Sequence, residues 1–404
     1  MPARNETVGR SRRHFVQGLG GAAAAGVLGL PGRYAFSNER ADSQPVLVAV
    51  ELTGGNDGLN SVVPFGDDAY YRHRPRLGLK ADTLLPLDDH FGLNPGMLGL
   101  HRLWQDGQLA IVHGCGYDAP SYSHFTSLAY WQTGAPHSGS PYGWLGRTAD
   151  AMRPEPADNM LISVAAQQPL VVRSATHTPV VFDDPERFQR QSWMPAEQAE
   201  LSLAPLPEAS RNRAFLRAVD RGARASAESI RSAWQRYKTD VDYGIAPMDL
   251  PKVAACIAAG LPTQLYHVAF RNNAFDTHVQ QAPLHRRLLS YACDGLHGFV
   301  RDLERLGVAD RVLVVVYSEF GRRVPENANL GTDHGSANDI WVIGRPVRAG
   351  HHGQPPSLTA LIDDGNLAYT TDFRSVFATL TEDWLGLPRG AVFPEALPRL
   401  QLLA

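Results

Sequence analysis

Two stretches of this chain, VLVAVEL at Val46–Leu52 and VLVVVY at Val312–Tyr317, are apolar at nearly every position instead of every second one. A strand with one wet face alternates, whereas a strand apolar on both sides of the pleat must be covered on both. Helices packed on each face of a parallel sheet provide that cover. The order of elements agrees: after the first strand come a Gly-rich turn, a helix near Pro95 to Gln105 and a second buried strand at Gln108 to His113. Strand, helix, strand is a βαβ unit, so the sheet reads as parallel and doubly wound. The alternation resumes late in the chain. LPKVAACIAAGL reads as a helix, TQLYHVAFRN as a strand, and LHRRLLSYACDGLHGFVRDLERLG as a helix from its i, i+3, i+4 apolar spacing. DRVLVVVYSEF and NDIWVIG follow as strands, and TDFRSVFATLTEDWLGLP closes as a helix ending at Gly386 before Pro388.

Between these blocks, Ser121 to Gly134 (SYSHFTSLAYWQTG) has helical apolar spacing, and short strands are expected at Met160 to Ala165 and Leu170 to Val172. Glu208 to Lys238 reads as a long amphipathic helix with a solvated charged face, so residues 185–245 are treated as an inserted helical subdomain. At 404 residues and 44% hydrophobic content the chain can bury a sizeable core, as two or three blocks or as one large α/β domain with insertions. A formal net charge of −3 and no long basic run argue against nucleic acid as a partner.

The first 37 residues stand apart. SRRHFVQ, Ser11 to Gln17, precedes GLGGAAAAGVLGL, which is too short and too weakly apolar to span a bilayer stably. Arg12 and Arg13, with Phe15 close behind, resemble a twin-arginine export signal, with cleavage expected near Ala35-Phe36-Ser37. The expected partner is therefore the twin-arginine translocation machinery, and the expected location periplasmic or secreted, with no stable membrane span in the mature protein. Losing the five arginines and one glutamate of residues 1–37 takes the formal charge from −3 to −7. Three cysteines, Cys115, Cys256 and Cys293, with no CxxC spacing, exclude a zinc ribbon and allow at most one disulfide. The helical settings of Cys256 and Cys293 predict buried thiols.

Polar residues collect where strands end. Asn56, Asp57 and Asn60 follow the first strand, His113 the second, Asp276 and His278 the AFDTH strand, and Glu319, Arg322 and Arg323 the VVVYSEF strand, with Asp333 and His334 in the next loop. Open parallel sheets bind ligands in the crevice at the carboxyl ends of their strands. Carboxylates and imidazoles suit a divalent cation, and two such ions about 4 Å apart clamp the attacking and leaving oxygens of a phosphoryl or sulfuryl ester. Singly, each residue has a plainer reading: Asp57 within GGNDG is as readily an Asx-turn former as a ligand.

In their order along the chain, VELTGGNDGLNSVVP, SYSHFTSLAYWQTG, FDTH, SEFGRR and GTDHG resemble the bacterial family DUF1501, whose members commonly carry twin-arginine signals. More distantly the chain is similar to the alkaline phosphatase and sulfatase superfamily. That similarity implies a three-layer α/β/α sandwich with a mostly parallel central sheet and a metal site at the strand ends. It also implies that Asp57 is an early metal ligand and that a hydroxyl nucleophile stands at a helix N-terminus, where backbone N–H groups favour an anion. Ser123 is the first choice for that nucleophile, beside His124 as a second catalytic candidate, with Ser121 and Thr126 behind and N-capping as the alternative role.

Departures from the superfamily pattern shape the rest. Cys115 is followed by proline only at position 120 and no arginine follows Ser121, so formylglycine chemistry is not expected. Asp276-Thr277-His278 replaces Asp-x-x-x-His, and the strand that should end in Asp-His ends in Glu319-Phe320. Either Glu319 is a ligand with His334 as the late histidine, or Asp333 and His334 are the displaced pair. One imidazole short, the pattern points to a single ion or a hard, oxygen-preferring one. The expected metal set is Asp57, Asp276, His278, Glu319, Asp333 and His334, holding Zn, Mn, Mg or Ca. Arg322 is expected to steady substrate oxygens. The leading expectation is an exported metal-dependent hydrolase of phosphate or sulfate esters, small-molecule or glycan, with Ser123 attacking. The alternative is a non-catalytic secreted binding protein with a degraded metal site.

Overall fold

The structure, a computed structural model, describes residues 44–188 and 211–404. The export segment 1–37, and within the expected insertion residues 189–210, lie outside the described residues.

The core is a nine-stranded sheet. In chain order its strands are β1 (Val46–Leu52), β2 (Leu109–Gly116), β3 (Leu161–Val164), β4 (Val180–Phe182), β5 (Leu265–Phe270), β6 (Val312–Tyr317), β7 (Asn338–Ile343), β8 (Gly350–His352) and β9 (Thr371–Asp372). Their spatial order is β8-β2-β7-β6-β1-β5-β3-β4, with β9 also paired to β2. All pairings in the sheet are parallel except those of β7, which runs antiparallel to β2 and β6. Every residue of β1, β2 and β6 is buried, as their largely apolar runs require.

Helices cover both faces, making three layers. Val46, Val48 and Val50 of β1 point into one core with α1 (Leu98–Gln105), α5 (Leu250–Ala258) and α6 (Gln281–Arg305). Leu47 and Ala49 point into the other, with α2 (His124–Thr133), α3 (Trp144–Met152) and α7 (Phe373–Thr379). On that second side Trp131 stacks on Phe373 at 4.2 Å between centroids, and Trp144 on Phe377 at 4.3 Å. Such pairs add about 0.5–1.5 kcal/mol each beyond area burial. Of the long α4 (Arg211–Arg236), Ala227, Ile230 and Ala233 are buried, and Ile230 joins the first core.

One expectation changes and two are made specific. Leu170–Val172 is a single 3-10 turn after Pro169, because a three-residue apolar run carries no period to tell strand from turn. The NDIWVIG strand is present but reversed. Its reversal keeps the whole connection from 318 to 337 on the carboxyl edge, where Gly321 donates to Ser336, Arg323 to Asp333 and Gly335 to Gly321, folding it into a hairpin-like arm. A parallel partner would have needed a crossover. All three cysteines are buried free thiols, so no disulfide forms.

Candidate metal centre

Three segments at the carboxyl edge, the start of α2, the loop between β5 and α6 and the 318–337 connection, bring His124, Asp276, His278 and His334 together. Asp276 Oδ1 lies 2.9 Å from His278 Nε2 and 3.1 Å from His334 Nε2, and those two imidazole nitrogens are 3.0 Å apart. His124 Nε2 lies 3.4 Å from Asp276 Oδ2, buried and without a hydrogen-bond partner. Ligand atoms of His124, Asp276 and His334 all fall within 4.8 Å of one another.

The remote nitrogens explain the arrangement. His334 Nδ1 faces the Tyr122 carbonyl at 2.7 Å, His278 Nδ1 faces Asp333 Oδ1 at 3.2 Å, and His124 Nδ1 faces Glu319 Oε1 at 2.8 Å. Each partner is an acceptor, so each Nδ1 carries the proton and each Nε2 presents a lone pair to Asp276. Three lone pairs and a carboxylate oxygen repel one another unless a cation sits among them. A carbonyl or carboxylate behind each imidazole is also what orients histidines that ligate metals. The residues present therefore fit a divalent ion.

Local sequence builds this geometry. Gly54 adopts φ +113°, and a Cβ there would lie 2.5 Å from the Asp276 amide nitrogen; its own N–H donates to Glu319 Oε1 at 2.8 Å. In GTDHG, a Cβ on Gly331 would lie 2.1 Å from the His278 carbonyl oxygen. Helix α2 starts beside His124 and stops at Gly134, φ +59°. It is tied down by Gln132, whose Nε2 donates to both oxygens of Glu51 at 3.0 and 2.9 Å. Glu51, His267 and Ser163 follow one another by 3.3 and 2.9 Å contacts in the order of a hydrolytic triad, but all three are buried and serve the core.

Electrostatics set the resting charges. The hydrogen bond to Glu319 pushes the His124 pKa up, against the opposing effect of burial, with Asp276 adding to the rise. Burial lowers that of His334. Burial works to raise the Asp276 carboxyl, but Arg322, by its hydrogen bond and its charge, outweighs it and the carboxyl is held at about 2.

Other expected residues have different places. Asp57 is 1% exposed, and its Oδ2 accepts from Arg74 Nη1 at 2.7 Å and Gln281 Nε2 at 2.5 Å, while Oδ1 is buried without a partner. It faces a guanidinium and not the histidines, so the expected ligand is a structural ion-pair partner. Arg322 is 1% exposed and donates to the carbonyls of Gly54, Gly55, Phe275 and Thr332 and to Asp276 Oδ1. Buried and bonded to the loops through Nε, Nη1 and Nη2, it clamps the site in place of steadying a substrate. Glu319 and Asp333 stand behind histidines. Despite the shortened Asp276-Thr277-His278 spacing, both side chains reach the same point. Ser123 is exposed at the N-cap of α2, and its side chain makes no capping bond. His113 lies apart, between Asp339 at 3.2 Å and His351 at 2.8 Å.

Sequence reasoning assigned no role to Arg74, Gln281 or the Tyr122 carbonyl. Nothing in a loop arginine or a helical glutamine signals an aspartate 17 or 224 residues away.

No curated protein matches this sequence. Among solved structures, the chain is similar to a protein in the alkaline phosphatase superfamily from Vibrio parahaemolyticus, at TM-score 0.41 and 11% identity over 88% of this chain and 71% of that one. It is also similar to the C-terminal periplasmic domain of EcEptC from Escherichia coli, solved in complex with Zn, at 0.38 and 11% over 89% of each chain. A third is the phosphonate monoester hydrolase of Agrobacterium radiobacter, at 0.37 and 12% over 85% and 74%. Scores of this size leave the reading of the site to its own geometry. The family match is of another kind: residues 44–389 match DUF1501, described as a protein of unknown function, and the chain belongs to that family.

Proposed function

We propose that this protein is an exported, metal-dependent hydrolase of phosphate or sulfate esters. The observation that carries the reading is the convergence of three Nε2 lone pairs on Asp276, each imposed by an acceptor behind the imidazole. Imidazole-rich donor sets suit zinc and similar ions, whereas magnesium and calcium take oxygen ligands, so a zinc-class ion is favoured. Such an ion would polarise an ester oxygen and offset charge that develops on it. This chain's own part is to orient: Glu319, Asp333 and the Tyr122 carbonyl fix the imidazoles, and Arg322 locks Asp276 to the Gly54–Gly55 turn.

Ser123 remains the proposed nucleophile, because it is exposed, uncapped and at the positive end of a helix next to His124. In this reading its Oγ forms a bond to phosphorus or sulfur and gives its proton to solvent, the bond to the ester oxygen breaks and that alcohol leaves with a proton from solvent, and water then hydrolyses the seryl ester. Phe125, 91% exposed beside His124, and Val279, exposed beside His278, give the rim apolar surface for an organic leaving group. Export rests on the twin-arginine pattern at Arg12 and Arg13; no described helix is long and apolar enough to cross a membrane.

The test is turnover of aryl phosphates and sulfates by zinc-loaded protein, with Ser123→Ala expected to abolish it while metal content is kept. Zinc-loaded protein that splits neither class sinks the reading. The second reading, a secreted binding protein, is favoured by the closure of Asp57 on Arg74, which leaves a single centre; ligand binding without turnover would support it.

A further inference from the structure

A second row of imidazoles and carboxylates stands at the edge strand of the sheet. His351 lies on β8, which pairs with β2, and the row runs Asp339, His113, His351, Asp88. Asp339 Oδ1 faces His113 Nδ1 at 3.2 Å, so that nitrogen carries the proton and His113 Nε2 is a lone pair. His351 Nδ1, 2.8 Å from that lone pair, must then donate to it. The far nitrogen of His351, Nε2, is left as a lone pair in turn. It is buried without a hydrogen-bond partner, and Asp88 Oδ2 lies 3.3 Å from it. Asp88 is fixed from its other side, where Oδ1 accepts the N–H groups of His90 at 2.7 Å and Phe91 at 2.6 Å.

A lone pair and a carboxylate oxygen this close repel each other unless a cation joins them. A proton is a poor joint here. The two atoms stand at ion-pair distance without a hydrogen bond, because an N–H on Nε2 would run off the line to Oδ2. An ion on the lone-pair axis meets both. With bonds of about 2.0–2.1 Å to nitrogen and oxygen, ligand atoms 3.3 Å apart subtend close to a tetrahedral angle at the metal. The ring is also held as metal-ligating imidazoles are, with an acceptor at its back and that acceptor oriented by a carboxylate. Phe91 packs on His113 and His351 at 4.9 and 5.0 Å between centroids, and Trp104 on His351 at 4.9 Å. His352, next along β8, faces the Arg348 carbonyl and takes no part.

We propose that His351 Nε2 and Asp88 Oδ2 are the protein ligands of a second, exchangeable site for a zinc-class divalent ion, with water completing its shell. Imidazole beside carboxylate suits zinc, copper or nickel in preference to magnesium or calcium. Two protein ligands hold an ion more loosely than the His124 cluster does. Water also reaches the site, since the Asp88 side chain is 44% exposed and that of His351 22%. An ion there ties edge strand β8 to the turn at residues 88–91.

The probe is zinc alone, given to the full chain in equilibrium dialysis at micromolar free ion. Wild type is expected to bind one zinc per chain more than His351→Gln or Asp88→Asn, and all three to retain the same zinc after gel filtration. In metal-free wild type the His351 Nε2 resonance should report an unprotonated nitrogen at neutral pH and shift when zinc is added. Equal zinc uptake by wild type and both variants overturns the proposal. A proton on His351 Nε2 in the metal-free protein at neutral pH also overturns it, whether or not the variants fold. So does loss of the retained zinc from either variant, since the row would then serve the His124 cluster. The two sites fail separately: exchangeable zinc that persists in His334→Ala supports the proposal, and wild type holding that ion alone keeps it while sinking the cluster.

Discussion

At the carboxyl edge of the sheet, Asp57 and Asp276 follow the ends of the neighbouring parallel strands β1 and β5, yet their surroundings make them different objects. Asp57 meets Arg74, whose charge is permanent and whose other donors bind Asn60, Val324 and the Arg323 carbonyl. Asp276 also meets an arginine, but its second side faces imidazoles whose protons are drawn away by acceptors behind them. The difference lies less in the aspartates than in whether the opposing nitrogen brings a proton or a lone pair. A guanidinium closes a corner, and an imidazole with an acceptor at its back leaves it open for a cation.

The comparison can be broken at either corner. The largest effect is expected from Asp57→Ala, which strands the Arg74 charge in the interior and should cost about 3–5 kcal/mol in urea unfolding, with metal content retained in the folded fraction. Its pH dependence has a definite sign. Burial favours a raised Asp57 pKa, but Arg74 outweighs it and the folded value is lowered. The pair's contribution is therefore complete above the unfolded carboxyl range, near pH 4, and is lost as pH falls through the folded value. Stability curves of wild type and Asp57→Asn should converge only in strong acid.

Next in size is His334→Ala, expected to weaken zinc about 100-fold or more in a chelator competition while shifting the urea midpoint little. Glu319→Gln sharpens the comparison further. It keeps the side chain's shape but weakens the acceptor behind His124, and should cost about 10-fold to 100-fold in zinc affinity. Smallest is Phe125→Ala. Truncating an exposed ring should leave stability within about 0.5 kcal/mol but raise KM for aryl esters several-fold without changing kcat.

Much of this architecture was legible in the chain. Nearly continuous apolar runs at Val46–Leu52 and Val312–Tyr317 announce strands covered on both faces, and the polar residues just beyond the strand ends mark the edge where the cluster stands. Asp276, His278 and His334 were visible for that reason, whereas His124 was expected as a catalytic residue beside Ser123 and not as a ligand. What the chain does not spell out is pairing over distance. The run NDIWVIG has the same period whichever way it points, so the reversal of β7 has no local signature. Arg322 and Arg323 are identical letters, and only backbone carbonyls supplied by Gly54, Gly55, Phe275 and Thr332 make one a clamp. Asp57 looked like a ligand because its place after the first strand is right; Arg74, in a loop with no motif around it, decides otherwise.

The central claim is that the histidine cluster, and not the Asp57 corner, holds a metal ion. Its most direct test is metal stoichiometry by mass spectrometry, after equilibration with zinc and removal of free ion, for wild type, Asp57→Asn and His334→Ala. The account predicts bound zinc in the first two proteins and its loss from the third. Wild type without bound zinc, or zinc lost from Asp57→Asn and kept by His334→Ala, would contradict it.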